Sequence, residues 1–511
     1  MTLEATGKPI IPVDPPHPQH GARYSSTAKH KDDATVRAHG HVQAMPRQFN
    51  WISALGLGFS ITNSWVAYLS CFGQTLAYGG AQAGIIALVV AFVVQMTVTL
   101  GLAELASTFP SSGGQYHFCY LLSPDRTKHY SAYVVGWLSM LGWWVATCSG
   151  VSLVAVCING IASFYHAEYV ATQWQTYLMY LGASVITGGF YSESSLYIKY
   201  SLASVMPVFA ASKQISRVTQ CSLFLSLAGY LVFFVVILSR HQQVQPGSFL
   251  LAPTQGNSGW GRGAAWLLAI NSSMYAYAGP DAAIHICEEL PQPGRRVPQV
   301  MIMTLAIGAV TSISLFVACM FFVDDIDAVR DAPLPSLALI YQITGNRSIT
   351  LGLSTILAII YTTSLPAQWV TSGRIAWAFA RDNGVPFPEY FSQINNNFKF
   401  PVHTTLAAFL FMSLYGLLYL ASTTAFNSII TSAVLFLNIT YVVPQGILLV
   451  RGRSTLPKRY FNLGWTGYFC NGFAVVWIVI QGVLTCLPPS PEVTLGSMNY
   501  VGPKEVYWAE D

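Results

Sequence analysis

Residues 275–290 read YAYAGPDAAIHICEEL, and within them Asp281 and His285 stand four residues apart, preceded by Gly279 and Pro280. If helix resumes at Pro280, positions 281 and 285 share a face, and a carboxylate beside an imidazole can pass protons. The stretch lies in an apolar segment, 264–286, long enough to cross a bilayer. A charged side chain at that depth costs about 2.5–3.5 kcal/mol on insertion scales, so Asp281 must face protein or water. Two roles are open to it: an ionisable group at work, or a structural acid satisfied by backbone donors. His285 taken alone also fits a satisfied core histidine.

Gly279 and Pro280 weaken the helix where the acid sits, because proline lacks an N–H and glycine lets the backbone open. An interrupted membrane helix leaves peptide groups unpaired at mid-depth, and these can bind a solute. Pro280 suits the first turn of a resumed half-helix. A milder version occurs at GLGFSITNSW, 56–65, where two glycines precede Ser60, Thr62, Asn63 and Ser64 in another apolar segment. Small polar residues also serve ordinary helix packing, and that reading stays open here. The two segments are the first and sixth of the chain, each the first of a set of five. Broken helices at matching places in two halves point to an inverted repeat with a site between them.

The elements that must position these residues are membrane helices. Of the 511 residues 53% are hydrophobic and only 9% charged, far from a soluble domain. Spans are expected near 52–77, 82–103, 131–160, 173–190, 219–239, 264–286, 301–323, 349–373, 402–420, 424–449 and 464–487. Residues 1–50 read as a disordered cytoplasmic tail, 51–487 as one transmembrane domain and 488–511 as a polar C-terminal tail. With the N-terminus inside, 20 of the 25 Lys and Arg residues fall on the inner face, as the positive-inside rule requires. Arg374 and Arg381 are expected there as solvated loop charges. The basic residues form no aromatic-interleaved patch, which excludes nucleic-acid binding. Nine scattered cysteines without C-x-x-C support neither a disulfide framework nor zinc, and no catalytic or P-loop motif is present. No cofactor is expected.

Five blocks carry a resemblance: GFSITNSW (58–65), ELASTFPSSGGQYHF (104–118), YAGPDAAIHICEELPQPGRRVPQVM (277–301), SGRIAWAFARDNGVPFP (372–388) and STTAFNSIITSAVLFLNITYVVPQG (422–446). With their spacing the chain resembles a fungal member of the amino acid–polyamine–organocation permeases, in the branch of GABA, choline and related amine permeases. That resemblance implies an all-α LeuT-type fold of two inverted five-helix repeats, with helices 1 and 6 broken. It implies that Gly58, Phe59, Ser60, Ile61, Thr62 and Asn63 cradle the substrate, with Tyr277, Ala278, Gly279 and Asp281 as the facing wall. Asp281 with His285 would couple protons, and Glu104 would gate or brace the inner end. Trp65, Trp143, Trp144, Tyr275, Tyr277 and Trp369 are aromatic candidates for holding an ammonium. The chain departs from the pattern twice. It has about eleven spans where the family usually has twelve, and 188–213 inserts Glu193 and Lys199 where relatives stay apolar.

The resulting expectation is a proton-coupled secondary transporter of a small amine or amino acid in the plasma membrane, its partners being that solute, protons and the bilayer. A transporter-like nutrient sensor would keep the same site without turnover. A channel fits poorly with one isolated carboxylate. Choline, GABA, a polyamine and an ordinary amino acid all suit such a pocket.

Overall fold

The structure is a computed structural model that describes residues 44–166, 168–188, 214–252, 256–395, 398–421 and 423–492. Most of the expected N-terminal tail, the stretch 189–213 that carries Glu193 and Lys199, and most of the C-terminal tail lie outside the described residues. Regular structure among the described residues is helical, with one isolated bridge between Asn395 and Phe400. Eight helical stretches there are long and apolar enough to cross a membrane. This follows from backbone physics: in lipid every peptide group must be paired within its own segment.

The helices run α1 (Trp51–Thr62), α2 (Ser64–Thr108), α3 (Gln115–Leu122), α4 (Lys128–Tyr165), α5 (Gln173–Gly188), α6 (Ile215–Arg240), α7 (Arg262–Ser273), α8 (Pro293–Phe322), α9 (Pro335–Thr344), α10 (Arg347–Arg381), α11 (Val402–Gly416), α12 (Thr423–Arg451) and α13 (Thr466–Cys486). The first expected span, 52–77, runs across α1 and the start of α2, the second lies further along α2, whose path turns at Gly79 and Gly80, and of the sixth, 264–286, only the part up to Ser273 is α-helix; each of the others meets one helix. Gly80 has φ +61°, a left-handed conformation that glycine adopts without strain.

The first span opens on a capping box. The Asn50 side chain accepts from the Ser53 N–H at 2.8 Å, and the Ser53 hydroxyl accepts from the Asn50 N–H at 2.8 Å. The expected tail boundary at residue 50 differs from this packing, since Met45 and Phe49 are already buried. The Phe49 N–H donates to the Glu289 carbonyl at 3.2 Å, which draws the residues before α1 onto the bundle.

Both expected interruptions are present, in different forms. The first is narrow: helix runs unbroken through Thr62, and Asn63 alone takes left-handed angles (φ +30°, ψ +55°) before α2 begins. The sixth is wide. After α7 ends at Ser273 the chain makes short 3-10 turns at Met274–Tyr277, Pro280–Ala283 and Cys287–Glu289, with Ala278 extended and Gly279 at φ +77°. One aspect differs from expectation: no α-helix resumes at Pro280, and the inner half of this segment is a run of tight turns.

Around these breaks α1 packs on α6 and α8, α2 on α8 and α7, and α4 on α10 and α12. The α1–α6 contact is close enough that a Cβ on Gly56 would lie 2.4 Å from the Thr219 carbonyl oxygen. Backbone cannot yield as a flexible side chain can. Gly56→Ala should therefore destabilise the bundle by about 1–3 kcal/mol, the usual overpacking range. Thermal unfolding of the detergent-purified variant checks this; a melting temperature equal to the parent's would contradict so tight a crossing.

Candidate functional site

Where the breaks of spans 1 and 6 face each other, the bundle encloses a cavity lined by Ser60–Asn63 from α1 and its break, by Ala278 and Gly279, and by parts of α4, α10 and α12. It offers about 70 Å³ to the centres of water molecules. At about 10–15 Å³ of such space per water this equals about five waters, the bulk of a solute with roughly as many non-hydrogen atoms. Two buried polar atoms of lining residues, Thr62 Oγ1 and Gln368 Oε1, have no hydrogen-bond partner among the described residues. A buried acceptor left so costs about 1–3 kcal/mol, which a bound solute's donor would remove.

Of the residues singled out from sequence, Ser60, Ile61, Thr62, Asn63, Ala278 and Gly279 line this cavity. Gly58, Phe59, Tyr277 and Asp281 are not among its lining. Gly58 faces α8, where a Cβ would come within 2.9 Å of the Thr304 hydroxyl oxygen. Phe59 is core, and its carbonyl accepts the Asn63 N–H at 2.7 Å. The Tyr277 hydroxyl meets Ser312 at 3.1 Å and its ring packs near Phe92. Among the aromatic candidates Trp143 and Tyr275 reach the cavity, joined by Tyr361, which sequence reasoning missed. Trp65, Trp144 and Trp369 spend their indole N–H groups on Ser226, the Ser372 carbonyl and Thr187.

Asp281 is fully buried and does not line the cavity; Trp143 and Gly279, its near neighbours, do. Four groups from separate parts of the chain converge on its carboxylate. Oδ2 accepts from Gln115 Nε2 at 2.6 Å and Trp143 Nε1 at 3.1 Å and meets His285 Nε2 at 3.2 Å, while Oδ1 accepts from the Tyr441 hydroxyl at 2.5 Å. The backbone donors expected for a purely structural acid are replaced by side chains. His285 Nδ1 lies 3.1 Å from the Ser112 carbonyl oxygen. A carbonyl only accepts, so Nδ1 is the donor of that contact and Nε2 is the ring nitrogen turned to the carboxylate. Gln115 arrives because the segment after α2 folds into the bundle; Gly114, at φ +60°, lies so close that a Cβ would sit 3.2 Å from the His285 ring. No periodicity in the sequence signals Gln115, Trp143 or Tyr441.

The cavity's two ends differ. Towards Arg330, the expected outer side, it shares Ser149, Leu153, Tyr275 and Val434 with a vestibule of about 690 Å³. One hydrogen bond of 2.6 Å, between the Ser149 and Tyr275 hydroxyls, spans that boundary. At the opposite end, the expected inner one, ion pairs close the bundle. Arg374 is fully buried and pairs with Glu289 through two nitrogens, one of them at 2.9 Å. Arg381 holds Glu288 at 3.0 and 3.2 Å. Gln48 donates to Glu289 at 2.6 Å, and the Ser112 N–H donates to Glu288 at 3.1 Å. Arg374 and Arg381 are thus not solvated loop charges. The signal missed was their spacing of seven, which sets both on one helix face, opposite two adjacent acids. Glu104 is buried at the same end, paired with Arg453 and, at 2.7 Å, with Arg459 Nε, and accepts from the Leu463 N–H at 3.2 Å. It fastens α2 to the link between α12 and α13.

Comparison with known proteins agrees with this architecture. The family model described as amino acid permease matches residues 49–509. A choline transporter of Saccharomyces cerevisiae is 28% identical over 91% of this chain and 80% of its own length. An amino-acid permease of Schizosaccharomyces pombe is 26% identical, covering 90% of this chain and 83% of its own. Among solved structures, a manganese transporter of Eremococcus coleocola superposes with a TM-score of 0.53 at 12% identity, over 85% of this chain and 86% of its own. That last likeness concerns the fold, which is LeuT-like. The chain belongs to the amino acid permease family and is a multi-pass membrane transporter, not an enzyme.

Proposed function

We propose that this transporter moves a small amine or amino acid by proton-coupled alternating access, the solute lying between Asn63 and Gly279. The observation that carries the reading is the cavity at the two breaks, with two unpartnered polar atoms on its wall and an ionisable pair directly behind it. The end of α1 presents carbonyls left over by the helix, and the start of α2 presents N–H groups, so one break offers partners for both ends of a zwitterion. Among the described residues no acidic side chain lines the cavity. A cationic head would rest on carbonyls and on the rings of Trp143, Tyr275 and Tyr361, a contact of about 0.5–2 kcal/mol. Choline, the substrate in the name of the Saccharomyces relative, fits this chemistry, as do GABA and short polyamines.

Proton coupling would use the Asp281–His285 pair: the solute touches Trp143 and Gly279, and these touch the acid. The arrangement described would be the outward-facing state, closed inside by Glu288–Arg381 and Glu289–Arg374, with Glu104 bracing that end. The N-terminus would be cytoplasmic and the host membrane the plasma membrane.

The direct test is uptake into proteoliposomes of labelled choline, GABA, putrescine and amino acids, with and without an inward proton gradient. Gradient-stimulated uptake of at least one is expected; saturable binding without flux would support a sensor instead. Asp281→Asn should abolish the gradient's effect while leaving a folded protein, and normal pH-dependent uptake by that variant would reject the coupling role. Gln368→Leu should raise KM about tenfold with kcat little changed, the worth of one hydrogen bond to a buried acceptor; an unchanged KM would remove Gln368 from the site. Cys71 lines the vestibule. In a Cys221→Ser, Cys486→Ser background an impermeant thiol reagent outside should label it, and Arg374→Ala should lower the labelling several-fold by releasing the inner closure; equal labelling would contradict the assigned gate.

A further inference from the structure

Of the four side chains on the Asp281 carboxylate, only Trp143 also lines the cavity. Its indole N–H donates to Oδ2 at 3.1 Å. The far edge of the same ring lies against the break in span 6: a Cβ on Gly279 would come 3.3 Å from Cη2 and 3.9 Å from Cζ2. One flat, almost fully buried side chain therefore stands between the space at the breaks and the acid.

The ring is held from several sides. It meets the His285 ring in a T-shape, centroids 6.0 Å apart at 85°. Its backbone is tied to α10, because the Trp143 carbonyl accepts from Ser372 Oγ at 3.2 Å and from Thr147 Oγ1 at 2.9 Å, and those two hydroxyls lie 2.7 Å apart. Turning the indole aside would leave a buried carboxylate one donor short, which opposes the movement.

What the cavity lacks decides what it can hold. Among the described residues its lining carries no Asp, Glu, Lys or Arg. One positive centre can be met by carbonyls at the end of α1 and by ring faces, and a carboxylate on the same solute by N–H groups at the start of α2. A second ammonium finds no counter-ion, and a charge taken unpaired from water is costly. We infer that Trp143 is a specificity-determining residue: its ring denies Asp281 to the solute, so that the site ranks solutes with one positive centre, quaternary ammonium or zwitterion, above diamines. This assignment rests on the solute position proposed above, between Asn63 and Gly279. Shortening the side chain to alanine would join the cavity to Oδ2. The acid would then meet the far ammonium of a diamine, while a quaternary head would lose a ring face.

The test is equilibrium binding of labelled choline, GABA, alanine and putrescine to the purified full chain at one pH. The parent should bind putrescine at least tenfold more weakly than the tightest of the other three; putrescine binding as tight as that would overturn the assignment. Trp143→Ala should shift the ratio towards putrescine by at least tenfold, whereas Trp143→Phe, which keeps a ring in place, should move it by less than threefold. Adding Asp281→Asn to Trp143→Ala should remove the gain. A gain that persists comes from added space alone and would equally overturn it. If Trp143→Ala does not fold or binds nothing, Trp143→Leu takes its place with the same expected shift. Gln368→Leu separates the two levels: weaker binding there with an unmoved ratio in Trp143→Ala overturns only the role of Trp143. Binding of none of the four, or binding indifferent to both Gln368→Leu and Trp143→Ala, takes the solute away from the breaks, and the assignment falls with that reading.

Discussion

A carboxylate taken out of water in the middle of a membrane protein must be surrounded by donors, and the arrangement around Asp281 follows from that requirement. Its partners come from the segment behind α2 (Gln115), from α4 (Trp143), from α12 (Tyr441) and from one turn further along its own strand of turns (His285). None of these could be met if span 6 were a simple lipid-facing helix. The left-handed turn at Gly279 puts the acid behind the cavity wall. A side chain there has little room: a Cβ on Gly279 would lie 3.1 Å from Ile61 and 3.3 Å from Trp143. Cavity wall and acid cluster are thus two faces of one irregular segment.

That segment also ends in the inner closure. Glu288 and Glu289 follow Asp281 by seven and eight residues, and each binds an arginine of α10. Removing one partner from a buried ion pair costs about 3–5 kcal/mol, because the other charge is left uncompensated. The outer boundary of the cavity, by contrast, carries one hydroxyl–hydroxyl bond between Ser149 and Tyr275. Closure is therefore heavy on one side and light on the other. In the proposed cycle a change of access needs the heavy side to part, and a ligand can drive that only by binding the two states differently. Ser112 touches both the His285 ring and Glu288, so the acid cluster and the closure are not independent.

Much of this was legible in the residues. Apolar segments of spanning length mark the helices, since lipid leaves no other way to pair the backbone. Gly279, Pro280 and Asp281 together mark the break in span 6, because each is unfavourable in a plain membrane helix. The polar run at 60–64 marks the neighbourhood of the other break, but not that it narrows to Asn63; the residues before it keep their helical bonds, Ser60 turning its hydroxyl to the Gly56 carbonyl. What escaped were relations across the chain. Tyr441 lies 160 residues from Asp281, and nothing in its own helix distinguishes it from a core aromatic. Arg374 and Arg381 obey the positive-inside count, which records the side a charge lies on and says nothing about its partner. Asp281 was expected as a wall of the pocket, and local sequence could not reveal that Trp143 and Gly279 would stand before it.

The measurement that bears most directly on the central claim is a high-resolution structure of the purified transporter with its solute bound. The solute should lie against Ser60–Asn63 and Gly279, with a polar group within hydrogen-bond distance of Thr62 or Gln368 and with Asp281 still behind Trp143. Density for the solute only in the outer vestibule, or touching neither break, would contradict the account.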